Sequence, residues 1–327
     1  MELVQNLGRP NLWQQPVYAR FLEEVDPLND RDRFRPLDRA YDGNVAFWGC
    51  PSPEPNLPDQ FWQQVHTHLV HPTVQGAGAR LAGAVAQWEP DPNQLLFVAI
   101  LRAGVPIADW LCRLLPGSVA VSISLFSGLG IDRVALSKIR SDYPHRKVVF
   151  VDGWTGRGGV ARELARLNAG PLAVLIDPWG IADFSGSFED VLCPSACFTG
   201  LTTLGFSRTF YTDDQTCFSA YLLPSSYTRL DLITAWQSAC PIDRLDPLPR
   251  PSRIEKPTDL RVHSNEVCRA LINADPEMIY FLDSERYALE HYALVLALAE
   301  LRSVPVVYYH QPLEYYQTQV ACSFKSK

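Results

Sequence analysis

The chain has 327 residues, 47% of them hydrophobic, which is enough for a large core and, by length, about two domains. Charged residues make up 20% and the formal net charge is −7, so the composition is neither disordered nor collagen-like. The acidic balance argues against broad, non-specific nucleic-acid binding, although a small, shape-specific RNA site is compatible with it.

No apolar stretch approaches the roughly 20 residues that cross a bilayer, and residues 1–9 lack the charged and apolar parts of a signal peptide. The eight cysteines are scattered without a CxxC pair, and Cys193 and Cys197 have no companion ligand at zinc-site spacing. We therefore expect a cytoplasmic protein with reduced thiols and no membrane contact.

The first part of the chain predicts an arm and two helices. Residues 1–57 are rich in Pro, Asn, Asp and Arg, which favours an irregular arm laid on the main domain. The apolar spacing over 59–88 predicts two helices broken near His71 and Pro72. His66, His68 and His71 cluster at this break, but no carboxylate stands at suitable spacing, so we do not expect a metal site there.

Apolar strands alternate with helices between residues 95 and 176. Continuous apolar strands of this kind predict an α/β fold with a parallel sheet buried on both faces. In such sheets the ligand lies beyond the carboxyl ends of the strands. The strands are predicted at 95–100, 119–125, 148–151 and 172–176, and the helices at 107–115, 134–139 and 160–167.

The remainder divides into a mixed region, a linker and a small second α/β domain. Residues 181–240 have no assigned topology, and the prolines and alternating charges of 241–257 indicate a linker. The domains expected are 1–57, 58–240, 241–257 and 258–327. Within the last, helices are predicted at 265–271 and 288–301, and strands at 278–282 and 304–309.

One loop carries the chemistry: Asp152-Gly153-Trp154-Thr155-Gly156-Arg157-Gly158-Gly159, which follows the strand 148–151. Its glycines let successive backbone N–H groups point inward, and the next helix adds its unsatisfied N–H groups and positive dipole end. The pattern favours a phosphate monoester, with Thr155 as a further donor. Asp152 is placed to accept from ribose hydroxyls or to hold a water of a metal shell. The alternative is a tight strand-to-helix turn with packing glycines.

This loop resembles the signature of the type I phosphoribosyltransferases, in which a hydrophobic strand precedes two acids and then Thr-Gly-Gly. Ile100-Leu101-Arg102-Ala103-Gly104 resembles the pyrophosphate loop of uracil phosphoribosyltransferases. More specifically, residues 95–220 resemble a bacterial phosphoribosyltransferase-like family encoded near tellurium-resistance genes, some of whose members carry the label cysteine protease StiP. That resemblance rests on Gly130-Ile131-Asp132, on Asp152 to Gly156 and on Ser207-Arg208-Thr209. The sequence departs from the type I pattern at Gly153, where a second acid is expected.

The resemblance implies a Mg²⁺-dependent enzyme that transfers 5-phosphoribosyl from phosphoribosyl pyrophosphate to an unknown acceptor, in the synthesis of a nucleoside-like metabolite. Asp152 and Arg102 are the catalytic candidates, and Arg102 and Mg²⁺ would stabilise the departing pyrophosphate. Arg102 is alternatively an ordinary surface arginine. The substrate-binding candidates are Leu101, Ala103, Gly104, Asp132, Gly153, Trp154, Thr155, Gly156, Arg157, Gly158, Gly159, Asp177, Trp179 and Arg208.

Several of these residues have a second interpretation. Asp132 is more often a helix N-cap than a catalytic group, and Arg157 is either a phosphate contact or a solvated loop residue. Trp179, next to Asp177, either stacks on a flat acceptor or covers a core edge. Arg208 closes over the site only on the strength of the resemblance.

The C-terminal segment at about 260–310 is similar to the PELOTA-type RNA-binding domains. In those domains an Asn-Glu pair at a helix start contacts RNA, which here corresponds to Asn265 and Glu266, with Lys256, Arg261 and Arg269 as neighbouring phosphate contacts. An Asn-Glu pair in this position is otherwise a helix cap.

Two further functions stay open. The first is a non-catalytic regulator that senses phosphoribosyl compounds and binds RNA through residues 260–310. The second is a cysteine hydrolase that uses Cys197 or Cys217, although no Cys and His stand in a recognisable protease context. The sequence leaves the oligomeric state open, and a homodimer is one alternative because related enzymes are often dimers.

Overall fold

The computed structural model describes residues 15–36, 44–126, 128–199, 203–251, 257 and 259–324, with the main chain alone at 60 and 197–199. The helices are α1 (Asp59–Leu69), α2 (Pro72–Trp88), α3 (Val105–Leu114), α4 (Arg133–Asp142), α5 (Gly159–Arg166), α6 (Leu230–Ala239), α7 (Ser264–Asn273), α8 (Glu285–His291), α9 (Ala293–Leu301) and α10 (Pro312–Tyr315). The strands are β1 (Arg20–Glu24), β2 (Leu95–Ile100), β3 (Val119–Ile123), β4 (Leu125–Phe126), β5 (Gly130–Ile131), β6 (Lys147–Trp154), β7 (Leu172–Ile176), β8 (Phe184–Ser187), β9 (Ser219–Leu222), β10 (Arg261–Val262), β11 (Met278–Phe281), β12 (Val306–Val307) and β13 (Val320–Ser323).

The central sheet has five parallel strands in the order β3-β2-β6-β7-β8. Every residue of β2 is buried, because alternate side chains enter different cores on the two faces of the sheet. Leu95, Phe97 and Ala99 pack with α2 and α3, whereas Leu96 and Val98 pack with α4 and α5. The α/β fold with a buried parallel sheet is therefore confirmed.

The C-terminal domain is built on a mixed sheet in the order β10-β13-β11-β12, in which only the β11–β12 pair is parallel. Its core is continuous with the core on one face of the central sheet, where Val267 and Leu298 belong to the same cluster as Val151. The small second α/β unit expected from the sequence is thus present, and it packs against the main sheet.

Some predicted elements have different bounds in the structure. Strand β6 continues to Trp154, which pairs with Ile176 of β7, so Asp152 lies within the strand and not in the loop after it. The helix predicted at 288–301 is two helices, because buried Tyr292 leaves the helical backbone and ends α8 by donating to the Ala288 carbonyl.

The segments for which no regular structure was predicted also contain strands and backbone hydrogen bonds. In the arm, β1 pairs with β9 of the unassigned 181–240 region, which also supplies β8. Within the predicted linker, the Leu245 amide donates to Ala79 of α2 at 3.2 Å. Lys256 lies outside the described residues. In the part of the chain that the structure describes, no helix is both long and apolar enough to cross a membrane.

Candidate active site

The two predicted loops meet at the carboxyl edge of the sheet. Strands β2 and β6 are neighbours, but the chain leaves β2 for β3 on one side and β6 for β7 on the other. In open α/β sheets the ligand crevice lies at such a reversal, beyond the carboxyl ends of the strands, and we refer to this place as the crevice. The loop 101–104 and the loop 155–158 border that crevice.

The loop after β2 lies directly against β6. A Cβ added at Gly104 would overlap the Val151 carbonyl oxygen, so only glycine allows this approach. Leu101 and Ala103 are partly exposed on either side of Arg102, and the Leu101–Arg102 peptide bond is cis. The candidate pyrophosphate loop therefore lies against the strand that carries Asp152.

Arg102 is buried in an ion pair. Its guanidinium lies 3.0 Å from the Glu54 carboxylate, whose side chain is fully buried, and it also donates to the Phe206 carbonyl at 2.9 Å. Neither sequence interpretation, a pyrophosphate contact or a solvated surface residue, describes this arrangement. Arg102 ties its own loop to the arm and to the segment before Arg208. Glu54 has no periodic or motif signal in the sequence.

Asp152 is the carboxylate at the centre of the site. One of its oxygens accepts from the Gly153 amide at 2.7 Å, and the side chain is partly exposed at the strand end. Burial raises the pKa of Asp152 to about 7 and Glu266 adds to this, while the Gly153 amide and Arg269 oppose it. A carboxyl group with a strongly perturbed pKa in a crevice is a functional-site candidate.

The space beside Gly153 is already filled. A Cβ at this position would lie 2.5 Å from Ser195 Oγ and 3.3 Å from Cys193 Sγ. Cys193 Sγ lies 3.4 Å from the Gly153 carbonyl oxygen and 3.2 Å from Ser195 Oγ. A second acid at position 153 would require these buried side chains to move, which accounts for the departure from the type I pattern.

Thr155 and Asp177 form a structural network. The Thr155 amide donates to the Ile176 carbonyl at 3.0 Å, and its hydroxyl donates to Asp177. The Asp177 carboxylate also accepts from Ile181 and Ala182 amides at 2.9 Å and from the Ser185 hydroxyl at 2.7 Å. Asp177 is fully buried by these donors, so the structure gives it the role of closing a turn and not of facing an acceptor.

The glycine loop turns directly into α5. Gly158 has a φ of 76°, in the left-handed region, and precedes Gly159 as the N-cap of the helix. The amides at the start of α5 lack partners within the helix and carry its positive dipole end. Arg157 is partly exposed, and burial together with the charges of Arg261 and Arg162 lowers its pKa. Gly158 thus turns the chain directly from the glycine loop into α5, and the phosphate contact of this loop stays a prediction.

Helix α7 of the C-terminal domain covers this loop. Glu266 accepts from the Trp154 indole at 3.0 Å, and a Cβ at Gly156 would lie 2.6 Å from Glu266 Cδ. Burial acts to raise the pKa of Glu266, but Arg269, Arg261 and the Trp154 indole hold it below its usual range. Glu266 is thus a buried residue that lies over the glycine loop.

Asn265 joins the two domains. Its amide oxygen accepts from the Cys193 amide and its nitrogen donates to the Val191 carbonyl, both at 2.7 Å. The side chain is 1% exposed. Asn265 and Glu266, predicted as RNA contacts, are therefore engaged inside the protein, where the surface does not display them.

Arg208 contacts helix α7 from the main domain. Its guanidinium donates to Asn273 Oδ1 of α7 at 2.6 Å, and its amide donates to Glu54 at 3.3 Å. Burial lowers the pKa of Arg208 to about 9, and the charges of Arg102 and Arg269 act in the same direction. Arg208 therefore links the arm to α7, and its closure over the site stays a prediction.

Asp132 and Trp179 have structural partners instead. Asp132 caps α4 through the Ala135 amide at 2.9 Å and also accepts from the Phe218 amide at 2.6 Å, which uses both of its oxygens. Trp179 is 4% exposed and donates to the Tyr316 carbonyl at 3.1 Å, so it covers a core edge and is not a stacking platform. For both residues the structural interpretation is the one that the structure supports.

The described cysteines do not form a reactive site. The seven whose side chains are described are free thiols, and burial raises the pKa of each, to about 12 for Cys193 and Cys217. Reactive cysteines have a lowered pKa and partial exposure. The side chain of Cys197 lies outside the described residues.

The fold is that of a parallel α/β protein whose central sheet has its switch point between β2 and β6. Residues 52–230 match the family described as "Tellurite-like stress resistance cysteine protease StiP", and the chain belongs to that family. It is also similar to "Cysteine protease StiP" from Acinetobacter baylyi, with 33% identity over 148 residues. This match covers 40% of the chain and 39% of the relative, well short of the relative's full length.

Proposed function

We propose that the chain is a phosphoribosyltransferase-type enzyme that binds phosphoribosyl pyrophosphate as its magnesium complex and transfers the 5-phosphoribosyl group to a nucleophilic acceptor. The observation that carries this proposal is the position of Asp152 between the glycine loop and the loop 101–104, at the switch point of the sheet. The core corresponds to the type I phosphoribosyltransferase-like fold, and the C-terminal unit to the PELOTA-like one.

In this proposal, different parts of the site bind different parts of the ligand. The glycine loop and the first turn of α5 bind the 5′-phosphate. Asp152 accepts hydrogen bonds from the ribose hydroxyls, and the diphosphate lies towards loop 101–104. The bond between C1 and the diphosphate oxygen breaks with its electron pair on the diphosphate, and the acceptor bonds to C1 and loses a proton. Fixing both ends of the ligand contributes by positioning.

In this proposal magnesium would enter the site bound to the substrate. Among the described residues, no group of three or more His, Cys, Asp or Glu side chains could hold a metal ion. Mg²⁺ is commonly bound by one or two carboxylates, substrate phosphates and water. Asp152 is the carboxylate that would hold such a water here. Bound to the diphosphate, the ion would neutralise charge on the leaving group.

Calorimetric titration of phosphoribosyl pyrophosphate with Mg²⁺ tests the proposal. Wild type is expected to bind, and Asp152→Asn to bind much more weakly. Asp283→Asn is the matched control, because Asp283 also accepts from the next amide at 2.7 Å but lies on the exposed surface after β11. Absence of binding by wild type would mean that the glycine loop is only a tight turn.

Pyrophosphate release separates the enzyme from a non-catalytic sensor. Release that depends on an acceptor and is lost in Asp152→Asn supports the transferase. Binding without release, over a broad screen of acceptors, favours the sensing regulator. The buried positions of Asn265 and Glu266 give no support to RNA binding through those side chains.

The cysteine protease activity named for the family is not the function that the described site favours. Cys193 lies next to Gly153, but its thiol is fully buried, and its hydrogen-bonding contacts are with the Gly153 carbonyl and Ser195. Nucleophilic cysteines are activated by an adjacent base or a lowered pKa. Hydrolysis of a peptide substrate that is lost in Cys193→Ala would overturn this preference.

A further inference from the structure

One face of α7 contacts both the end of β6 and the segment 207–209. Glu266, Arg269 and Asn273 stand at positions i, i+3 and i+7, which lie on the same side of a helix. Glu266 is anchored over the glycine loop by the Trp154 indole, and Asn273 is anchored by Arg208. Arg269 therefore stands between the two anchors, on the helix face that contacts the end of β6 and the segment 207–209.

The Arg269 guanidinium is held at that position but is not enclosed. It lies 3.3 Å from Glu266, and 57% of its side chain is exposed. Its charge opposes the rise in the pKa of Asp152 and contributes to the lowered pKa of Arg208, so both groups lie within its electrostatic reach. Arg269 thus interacts electrostatically with both Asp152 and Arg208.

The arginines around the crevice fall into two groups. On the side of the glycine loop, Arg157 interacts electrostatically with Arg162 and Arg261. On the side of loop 101–104, Arg208 interacts with Arg269 and with Arg102, whose charge is paired with Glu54. The Glu266 carboxylate lies between the groups, 3.3 Å from both Arg261 and Arg269, and Asp152 interacts electrostatically with Glu266 and Arg269. Such an arrangement suits a ligand with an anionic group at each end and hydroxyls in the middle.

We propose that Arg269, acting with Arg208, binds the diphosphate end of the phosphoribosyl donor, so that the C-terminal domain completes the active site of the main domain. This inference rests on the proposed function and specifies which end of the ligand α7 contacts. It assigns Arg269 of α7 to the substrate of the central sheet and not to RNA.

The test compares three ligands on the full-length protein: phosphoribosyl pyrophosphate with Mg²⁺, ribose 5-phosphate, and inorganic pyrophosphate. The variant is Arg269→Ala, with Arg269→Lys as a milder change that keeps the charge. Arg286→Ala is the matched control, because Arg286 is an exposed arginine of the same domain on α8. Titrations at two pH values, one well above the pKa of Asp152, separate lost contacts from a changed protonation of that carboxyl.

Loss of a charge-assisted contact is expected to weaken binding of phosphoribosyl pyrophosphate and of pyrophosphate by about tenfold or more in Arg269→Ala. Ribose 5-phosphate binding should not change, Arg269→Lys should be intermediate, and Arg286→Ala should match wild type. Thermal unfolding of each variant confirms that the fold is intact.

Two results overturn the inference in different ways. If wild type binds phosphoribosyl pyrophosphate and Arg269→Ala binds it equally well, or loses ribose 5-phosphate to the same degree, Arg269 does not contact the diphosphate, while the proposed function stands. If wild type binds none of the three ligands, the proposed function fails and the inference fails with it.

Discussion

Replacing Gly153 by alanine tests why the site has a single acid in its strand. The new Cβ would lie 2.5 Å from Ser195 Oγ and 3.3 Å from both Ala103 Cβ and Cys193 Sγ. Ser195 is fully buried and its hydroxyl is 3.2 Å from Cys193 Sγ, so it cannot rotate away without losing this contact. Overpacking of this kind costs about 1–3 kcal/mol.

Part of this cost is offset in the unfolded chain. A Gly→Ala change restricts the unfolded state and by itself stabilises a protein by about 0.4–1 kcal/mol where the backbone permits it. We therefore expect Gly153→Ala to lower the free energy of unfolding by about 1–2 kcal/mol. Gly153→Asp should cost more, because it also places a charge in the buried space beside Asp152.

Urea unfolding followed by tryptophan fluorescence measures this difference. Gly49→Ala is the control, since the nearest atom to its new Cβ is 3.8 Å away and the expected change is within about 0.5 kcal/mol. A double-mutant cycle with Ser195→Ala, which removes the nearest atom, should show a coupling energy of about 1 kcal/mol. The reasoning is refuted if Gly153→Ala is as stable as wild type and the cycle shows no coupling.

Three other predictions concern charge and thiol chemistry. Because burial raises the pKa of Asp152 from 3.8 to about 7, its contribution to stability is fully present below pH 3.8 and is lost as the pH rises from there through about 7. Relative to Asp152→Asn, wild type should therefore lose free energy of unfolding over this range, whereas its affinity for phosphoribosyl pyrophosphate should rise; identical pH profiles would contradict this. Glu54→Gln leaves the buried Arg102 charge unpaired and should destabilise the fold by about 3–5 kcal/mol in chemical denaturation. Glu163→Gln, which breaks an exposed pair with Arg166, should change stability by less than about 1 kcal/mol, and equal effects would show that burial is not decisive. Iodoacetamide should leave Cys193 unmodified in the native protein, because its thiol is fully buried with a pKa of about 12. Peptide mapping by mass spectrometry that finds Cys193 labelled as fast as the partly exposed Cys50 would be inconsistent with this structure.

The parallel sheet was predictable because its inner strands are apolar on both faces. Strand β2 consists of Leu, Phe, Val, Ala and Ile, and no half-buried or helical pattern fits six consecutive buried positions. The loops 101–104 and 155–158 could be expected at one edge for the same reason, since parallel strands end together. Strand β8 was not predictable, because Phe184–Ser187 carries serine and glycine where α2 packs closely.

The walls of the site could not be predicted from local sequence. Glu54 stands between two prolines in an irregular arm, and it becomes part of the site through contacts with Arg102 and Arg208, which are 48 and 154 positions away. Asn265 and Glu266 were singled out, but for RNA, because an Asn-Glu pair at a helix start contains no information on what the helix packs against. Their partners at 191–193 and 154–156 are set by how two domains meet, which is a tertiary property.

The close contacts at Gly153 and at Gly156 have a common cause, which is the packing of the C-terminal domain against the main domain. Ser195 follows the segment held by Asn265, and Glu266 is the next residue of α7, so docking of the C-terminal domain fills the space over both glycines. The same docking brings Glu266 and Arg269 within electrostatic reach of Asp152, where Glu266 acts to raise its pKa and Arg269 to lower it. A carboxyl group that titrates near neutrality, a strand with one acid, and a cation supplied from α7 are therefore linked features, and a change at the interface should alter all three together.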